Sequence, residues 1–297
     1  ARRMCAAYHP RFFAVRQPVT GVLFMRGVAR KLIAQVGEAT ADAARDSVQL
    51  ITFTGETISE FVSALRHPRL IRRKETLYYM NLCGANAFPI SSLICLLMGL
   101  ILGYQSAVQM HKYGADSFLP ALVGCSIVRE LGPLMVAVIA TGRAGSAFAA
   151  EIATMKASEE INAMLTMGFS PWRFLVIPKL LAMICMMPLL TFFGDIFGII
   201  GGMFVGTFEL DMPASVYYRQ TIYWVPLRFF IESLVKSIVF AVIITGICCM
   251  RGFDAKEDSL GVGRATTSAV VTSIIWIILA DSLMARMFNL IFYGSAV

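Results

Sequence analysis

Residues 117 to 150 read SFLPALVGCSIVRELGPLMVAVIATGRAGSAFAA, an apolar run that sets Arg129 directly beside Glu130. A helix needs ~20 apolar residues to cross the hydrocarbon of a bilayer, so this run reads as a membrane span with two charges inside it. The rest of the chain agrees. Of its 297 residues, 57% are hydrophobic and 15% charged, and the mean hydropathy of +0.70 is far above that of a soluble domain. The expectation is an all-α, polytopic membrane protein.

Working outward from this run, at 117–149, the same length criterion gives four more spans, at about 84–110, 173–207, 226–250 and 265–293. Several exceed the minimum and imply tilt or extension past the bilayer. Ahead of them, about 38–66 carries Val48, Ile51, Ile58, Val62 and Leu65 at helical spacing with charges between, the pattern of a helix lying in the interface. Residues 1–37 form a basic extension, and 38–297 read as one membrane domain. No signal peptide is expected, because the longest uncharged stretch at the amino end, Gln17 to Met25, contains Pro18 and Gly21 and is closed by Arg26.

Thirteen of the 26 Lys and Arg lie in residues 1–74, with Arg72, Arg73 and Lys74 immediately before the first span. The positive-inside rule then makes the amino terminus cytoplasmic. An odd number of spans puts the carboxyl terminus outside and the linkers at about 150–172 and 251–264 inside. The linker at 208–225 falls outside, and its Tyr217, Tyr218, Tyr223 and Trp224 read as an interfacial aromatic belt.

Helix neighbours at i and i+1 point about 100° apart, so Arg129 and Glu130 do not neutralise one another and each needs a partner elsewhere. The other spans carry charges too: Asp195, Glu232 with Lys236, and Asp281 with Arg286. Counted from the outer end of each span, Glu130 is 13 residues in, Asp195 12, Lys236 10 and Asp281 12. At 1.5 Å per residue all four lie roughly 15–20 Å deep, in one layer near mid-membrane. Intramembrane charges are expensive and are candidates for function by default. A structural ion-pair network, including Glu232 with Lys236 at i, i+4, and a network that rearranges during transport both require the same residues.

The linker EIATMKASEEINAMLTMGFSPW at 151–172 predicts a short amphipathic helix over about 155–168. Ser158 is placed as its N-cap, Glu159 and Glu160 suit the first turn, Ile161, Met164 and Leu165 form an apolar stripe, and Gly168 stops it. Such a face fits either a groove on another protein or the lipid surface. In the third span Gly194, Gly198, Gly202 and Gly206 recur every four residues, spacing that lets helices approach closely within one chain or between copies.

Seven cysteines without a C-x-x-C pair and three isolated histidines predict neither disulfides nor a metal site. No Walker A sequence occurs, so the chain has no such device for cradling ATP. No His or Asp cluster supports a membrane-embedded enzyme.

The segments IVRELGPLMVAVIATGRAGSAFAAEIATMKASEEINAM, MGFSPWRFLVIPKLLA, LVKSIVFAVIITGICCMRGFDA and GVGRATTSAVV resemble the MlaE/YrbE family, permease subunits of MCE-associated ABC lipid transporters. The resemblance covers roughly residues 38 to 295. It implies an MlaE-like ABC permease fold with an interfacial helix and five spans, acting as a homodimer in the inner membrane of a diderm bacterium. Implied partners are a cytoplasmic ATPase that binds ATP and Mg, a periplasmic ring of MCE-domain protein and often a STAS-domain subunit; no nucleic acid is expected. The implied substrate is glycerophospholipid, moved between inner and outer membranes to maintain outer-membrane asymmetry. The linker helix, with Met155, Lys156, Glu159, Glu160, Ile161, Met164 and Leu165, becomes the coupling helix docking on the ATPase. Arg129, Glu130, Lys236 and Asp281 match charges associated with transport, whereas Asp195 rests on the depth argument alone. Leu97, Leu100, Ile101, Tyr104 and Gln105 are the expected lining of a lipid pocket between copies. An ion-coupled transporter using the buried carboxylates, and a permease for sterol or fatty acid, stand as alternatives.

Overall fold

The computed structural model describes Thr52, Phe53, Gly55, Thr57 and residues 72–293. The basic extension at 1–37 lies outside the described residues, as does most of the expected interfacial helix at 38–66. The four isolated residues described there are helical.

Among the described residues the chain is helical, without strands. This follows from the solvent, because a helix satisfies its own backbone hydrogen bonds where lipid offers none. Five helices are long and apolar enough to span: α1 (Arg73–Lys112), α2 (Asp116–Ala157), α4 (Trp172–Glu209), α6 (Leu227–Phe253) and α7 (Ser259–Tyr293). Two shorter ones join them, α3 (Glu160–Thr166) between α2 and α4, and α5 (Ala214–Trp224) between α4 and α6. The five spans contain the five segments expected from hydropathy. At 42 residues, α2 runs about 63 Å at 1.5 Å per residue, twice the ~30 Å of a bilayer core, so it is long enough to extend well beyond the hydrocarbon.

Helices α4 and α6 form the buried centre, and α1 and α7 flank them with long exposed apolar faces. The α1–α4 crossing is set by glycine. A side chain on Gly99 would run into the backbone of Gly198, and one on Gly201 into the backbone of Leu96 and Leu100. Of the four-residue stripe, Gly194 faces Cys95 and Val136, Gly198 faces Ile127, and Gly202 and Gly206 face Tyr217. The stripe therefore packs within the chain; its Gly198 takes the tightest backbone contact, with Gly99, while the next tightest, Gly201 on Leu96, lies outside the stripe.

Three local expectations are corrected. The linker expected to form one helix over 155–168 does not: α2 continues through Met155 and Lys156 to Ala157, and α3 begins only at Glu160. Its N-cap is Glu159 in the left-handed region, φ 62°, while the Ser158 hydroxyl donates to the Glu160 carboxylate at 3.0 Å. Two residues, not one, break the helix there: the Ser158 N–H still bonds to the Thr154 carbonyl at 2.9 Å, but the Glu159 N–H tightens to Lys156, three residues back, at 3.0 Å. Gly168, φ 79°, closes α3 as expected. In the third correction, Tyr217 leaves the aromatic belt: it is fully buried on α4, while Tyr218, Tyr223 and Trp224 stay exposed.

Candidate functional site

The pair Arg129–Glu130 sits in a π-helical turn, Ile127–Leu131, inside α2. Its cause is the Gly132-Pro133 that follows. In a regular α-helix the N–H of residue 133 would bond to the carbonyl of residue 129, but proline has none. The turn widens, Gly132 N–H bonds back to Ile127, and the Arg129 carbonyl accepts a hydrogen bond from Lys236 Nζ on α6 at 2.9 Å. Gly132 is required for a second reason, since any side chain there would collide with Asp195 on α4.

Lys236 is the hub. Its ammonium lies 2.6 Å from Glu130 Oε2 and 2.8 Å from Asp281 Oδ1 on α7. Its hydrogen bonds go to Glu130 and to the Arg129 carbonyl, while Asp281 supplies a counter-charge whose Oδ1 accepts no hydrogen bond among the described residues. Arg129 turns the other way: Nε reaches Glu232 Oε2 at 3.3 Å, Nη2 donates to Asn289 Oδ1 at 2.8 Å, and the guanidinium stacks over Phe229 with 4.9 Å to the ring centre. Glu232 thus pairs across helices rather than with Lys236 on its own helix. Lys236 and Glu232 are almost fully buried, whereas 40% of the Glu130 side chain is exposed, so one flank of the cluster is open.

Asp195 stands apart from this network. It is buried, accepts a hydrogen bond from Ser233 Oγ at 2.9 Å, and makes no ion pair among the described residues. Its other oxygen, Oδ1, and Oε1 of Glu232 are buried without a hydrogen-bond partner there. No group of metal-ligating residues occurs among the described residues.

The sequence pattern of the family described as Permease MlaE matches residues 76–287. The chain belongs to the MlaE permease family. It is 34% identical to a probable ABC transporter permease protein of Rickettsia felis over 253 residues, 85% of this chain and 96% of the relative. A probable ABC transporter permease protein of Synechocystis is 33% identical over 211 residues, 71% of this chain and 80% of the relative. One of Porphyra purpurea is 33% identical over 218 residues, covering 73% and 83%. Five apolar helices and this family make the chain a multi-pass membrane protein of the ABC permease kind.

In this MlaE permease, α3 turns Ile161 and half-buried Met164 inward, onto a cluster with Phe53, Ile152, Leu175 and Met250. Its exposed face is instead Glu159, Glu160, Leu165 and Met167, continued by Phe169. Lys156 donates to the Phe253 carbonyl at 2.5 Å and ties the end of α2 to α6. On α1, Leu97, Ile101, Tyr104 and Gln105 share the exposed face, while Leu100 is half-buried against the core. An apolar cavity of about 370 Å³ lies away from that face, between α4 and α5, walled by Ile199, Met203, Tyr217 and Ile222.

Sequence reasoning missed a second polar cluster. Tyr79, Glu151 and Lys179 meet at the α3 end of the bundle, and Lys179 is fully buried. Each sits at the edge of an apolar run, where a lone charge reads as an interfacial anchor, so no spacing in one segment could reveal the meeting of three.

Proposed function

We propose that this chain is the permease subunit of an ATP-driven transporter that moves glycerophospholipid between the inner and outer membranes of a diderm bacterium, maintaining outer-membrane asymmetry. Two copies pair in the inner membrane, with amino termini cytoplasmic and carboxyl termini periplasmic. A cytoplasmic ABC ATPase binds ATP and Mg and docks on the exposed face of α3. A periplasmic MCE-domain ring receives or delivers lipid, and a STAS-domain subunit completes the assembly. The exposed α1 face with Leu97, Ile101, Tyr104 and Gln105 lines the lipid path between the copies.

The observation that carries this reading is the Lys236 ammonium, held by Glu130 of α2 and Asp281 of α7 in a membrane-spanning layer. A purely structural core gains little from such a cluster, because apolar residues of similar volume stabilise as well or better. Buried carboxylate oxygens without hydrogen bonds at Asp195 and Glu232 favour an arrangement with room to exchange partners. Rigid helices that repack between two discrete sets of contacts are an established means of transmitting a push from one end of a protein to another. Closure of the ATPase would shift α2 and α4 through α3, and the layer would change partners as the path between copies narrows.

Native mass spectrometry of the protein, extracted gently from its own membrane, tests the assignment. Two copies of this chain with two ATPase subunits, an MCE ring and bound phospholipid are expected. A chain that retains no ATPase under mild extraction overturns the reading.

A further inference from the structure

The cluster missed by sequence reasoning lies at the two feet of the hairpin that carries α3. Glu151 is on α2 six residues before its end, Lys179 is near the start of α4, and everything between them is the hairpin. Lys179 Nζ lies 3.2 Å from Glu151 Oε1 and donates to Tyr79 Oη at 3.0 Å, while the Tyr79 hydroxyl donates to that same Glu151 oxygen at 2.5 Å. The ammonium also sits over the Tyr79 ring, 4.4 Å from its centre, and Phe148 closes edge-on against that ring at 5.7 Å. Tyr79 belongs to the first turns of α1. Beside it, the Arg72 guanidinium lies over the Phe174 ring of α4 at 5.4 Å, a second tie between the same two helices.

We propose that Tyr79, Glu151 and Lys179 form a positioning clasp that makes the α3 hairpin and the start of α1 move as one body. The inference rests on the reading that α3 receives an ATPase. Without the clasp, a push on α3 spreads the two feet apart and is absorbed locally. With it, both feet move together and carry α1, whose outer half presents Leu97, Ile101 and Tyr104. The chemistry suits a clasp, because the lysine is fully buried and its ammonium is held by a fixed set of acceptors, whereas 38% of the glutamate side chain remains exposed. A methionine at position 179 would fill the same volume with less desolvation, so stability alone does not call for the charge.

The test uses the whole complex in proteoliposomes, with ATP hydrolysis, lipid transfer and thermal unfolding measured for each variant. Tyr79→Phe removes one hydroxyl and keeps the ring. The pair Lys179→Met with Glu151→Gln removes both charges together and leaves none unpaired. Both complexes are expected to assemble and to hydrolyse ATP within about twofold of the wild type, while lipid moved per ATP falls by about tenfold, the scale of ordinary coupling between sites. A structural role would lower the melting temperature and both rates in step, leaving the ratio unchanged; that result overturns the clasp. If the double variant does not assemble, Tyr79→Phe decides alone by the same ratio. A wild-type complex that moves no lipid with ATP defeats the permease reading and the clasp with it, which separates that failure from an unchanged ratio in the variants.

Discussion

Because Pro133 has no N–H to offer, the carbonyl of Arg129 is left for Lys236, and one proline so places a lysine from another helix. The guanidinium of Arg129 and the carboxylate of Glu130 then face different helices and serve different partners, Glu232 and Lys236. Lys236→Met strips the cation from between Glu130 and Asp281, and the uncompensated charges should cost about 3–5 kcal/mol in unfolding experiments in detergent. Adding Glu130→Gln and Asp281→Asn should restore most of that stability without restoring lipid transfer. If the triple variant transports normally, the layer only holds the bundle together. Glu130→Lys makes the complementary test, setting two cations together on the half-exposed flank of the cluster. It should abolish lipid transfer while the complex keeps its ATPase, as read by co-purification and hydrolysis; failure to assemble would instead mark the network as structural. Depth counted along each span brought Glu130, Lys236 and Asp281 to one level, but it also counted in Asp195, which stays outside their network, and left out Asn289, which Arg129 reaches. Who pairs with whom was not legible, because i, i+4 spacing favours Glu232 with Lys236, whereas the packing of α2 against α6 sets Glu232 against Arg129.

At the scale of the helices, the length of the apolar runs sufficed to place all five spans, and Gly168 marked the end of α3. The start of α3 was misplaced because Ser158 and Glu159 both carry helix-starting signals, and the structure uses the backbone of one and the side chain of the other. Glycine spacing pointed to the α4 stripe, whose Gly198 meets Gly99 at the closest approach, but not to Gly201, which belongs to no four-residue repeat and packs almost as tightly on the backbone of Leu96. Gly201→Leu should therefore separate α1 from α4 and destabilise the protein by about 1–3 kcal/mol or more. Gly142→Leu, where a side chain meets open space within the chain, serves as the control in the same thermal unfolding assay. On α3 the inward turn of Ile161 leaves Leu165 and Met167 outside, 54% and 63% exposed, so these and not the whole stripe are free for a partner. Leu165→Glu should leave the fold intact and cut ATPase retention by about tenfold, a loss of roughly 1.4 kcal/mol of binding. Retention at the wild-type level would move the docking surface off this face.

For the whole molecule, several helix faces among the described residues stay apolar and open, among them that of α1 through Leu93, Leu97, Ile101 and Val108, that of α6 through Leu227, Ile231 and Val235, and that of α7 through Ile275, Leu279, Leu283 and Leu290. In a membrane, apolar exposure does not by itself identify a partner, since lipid tails are as apolar as leucine. That is why the sequence could point to the α1 face and not say what covers it. Polarity gives the finer clue: Tyr104 and Gln105 lie on the exposed side of α1, and a glutamine amide facing acyl chains alone would lack hydrogen-bond partners. The proposed path between two copies, filled by lipid headgroup and water at that level, would relieve the cost. In a variant with all seven cysteines replaced, Ile101→Cys should cross-link to its counterpart in native membranes when a flexible bismaleimide is added. Val235→Cys on the exposed side of α6 serves as the comparison and should remain monomeric on the same gel. The cross-link should weaken when ATP hydrolysis is arrested, because a path that narrows and widens holds its walls at two separations. A dimer formed through Val235 and not Ile101 would place the second copy against α6 and leave the α1 face to lipid.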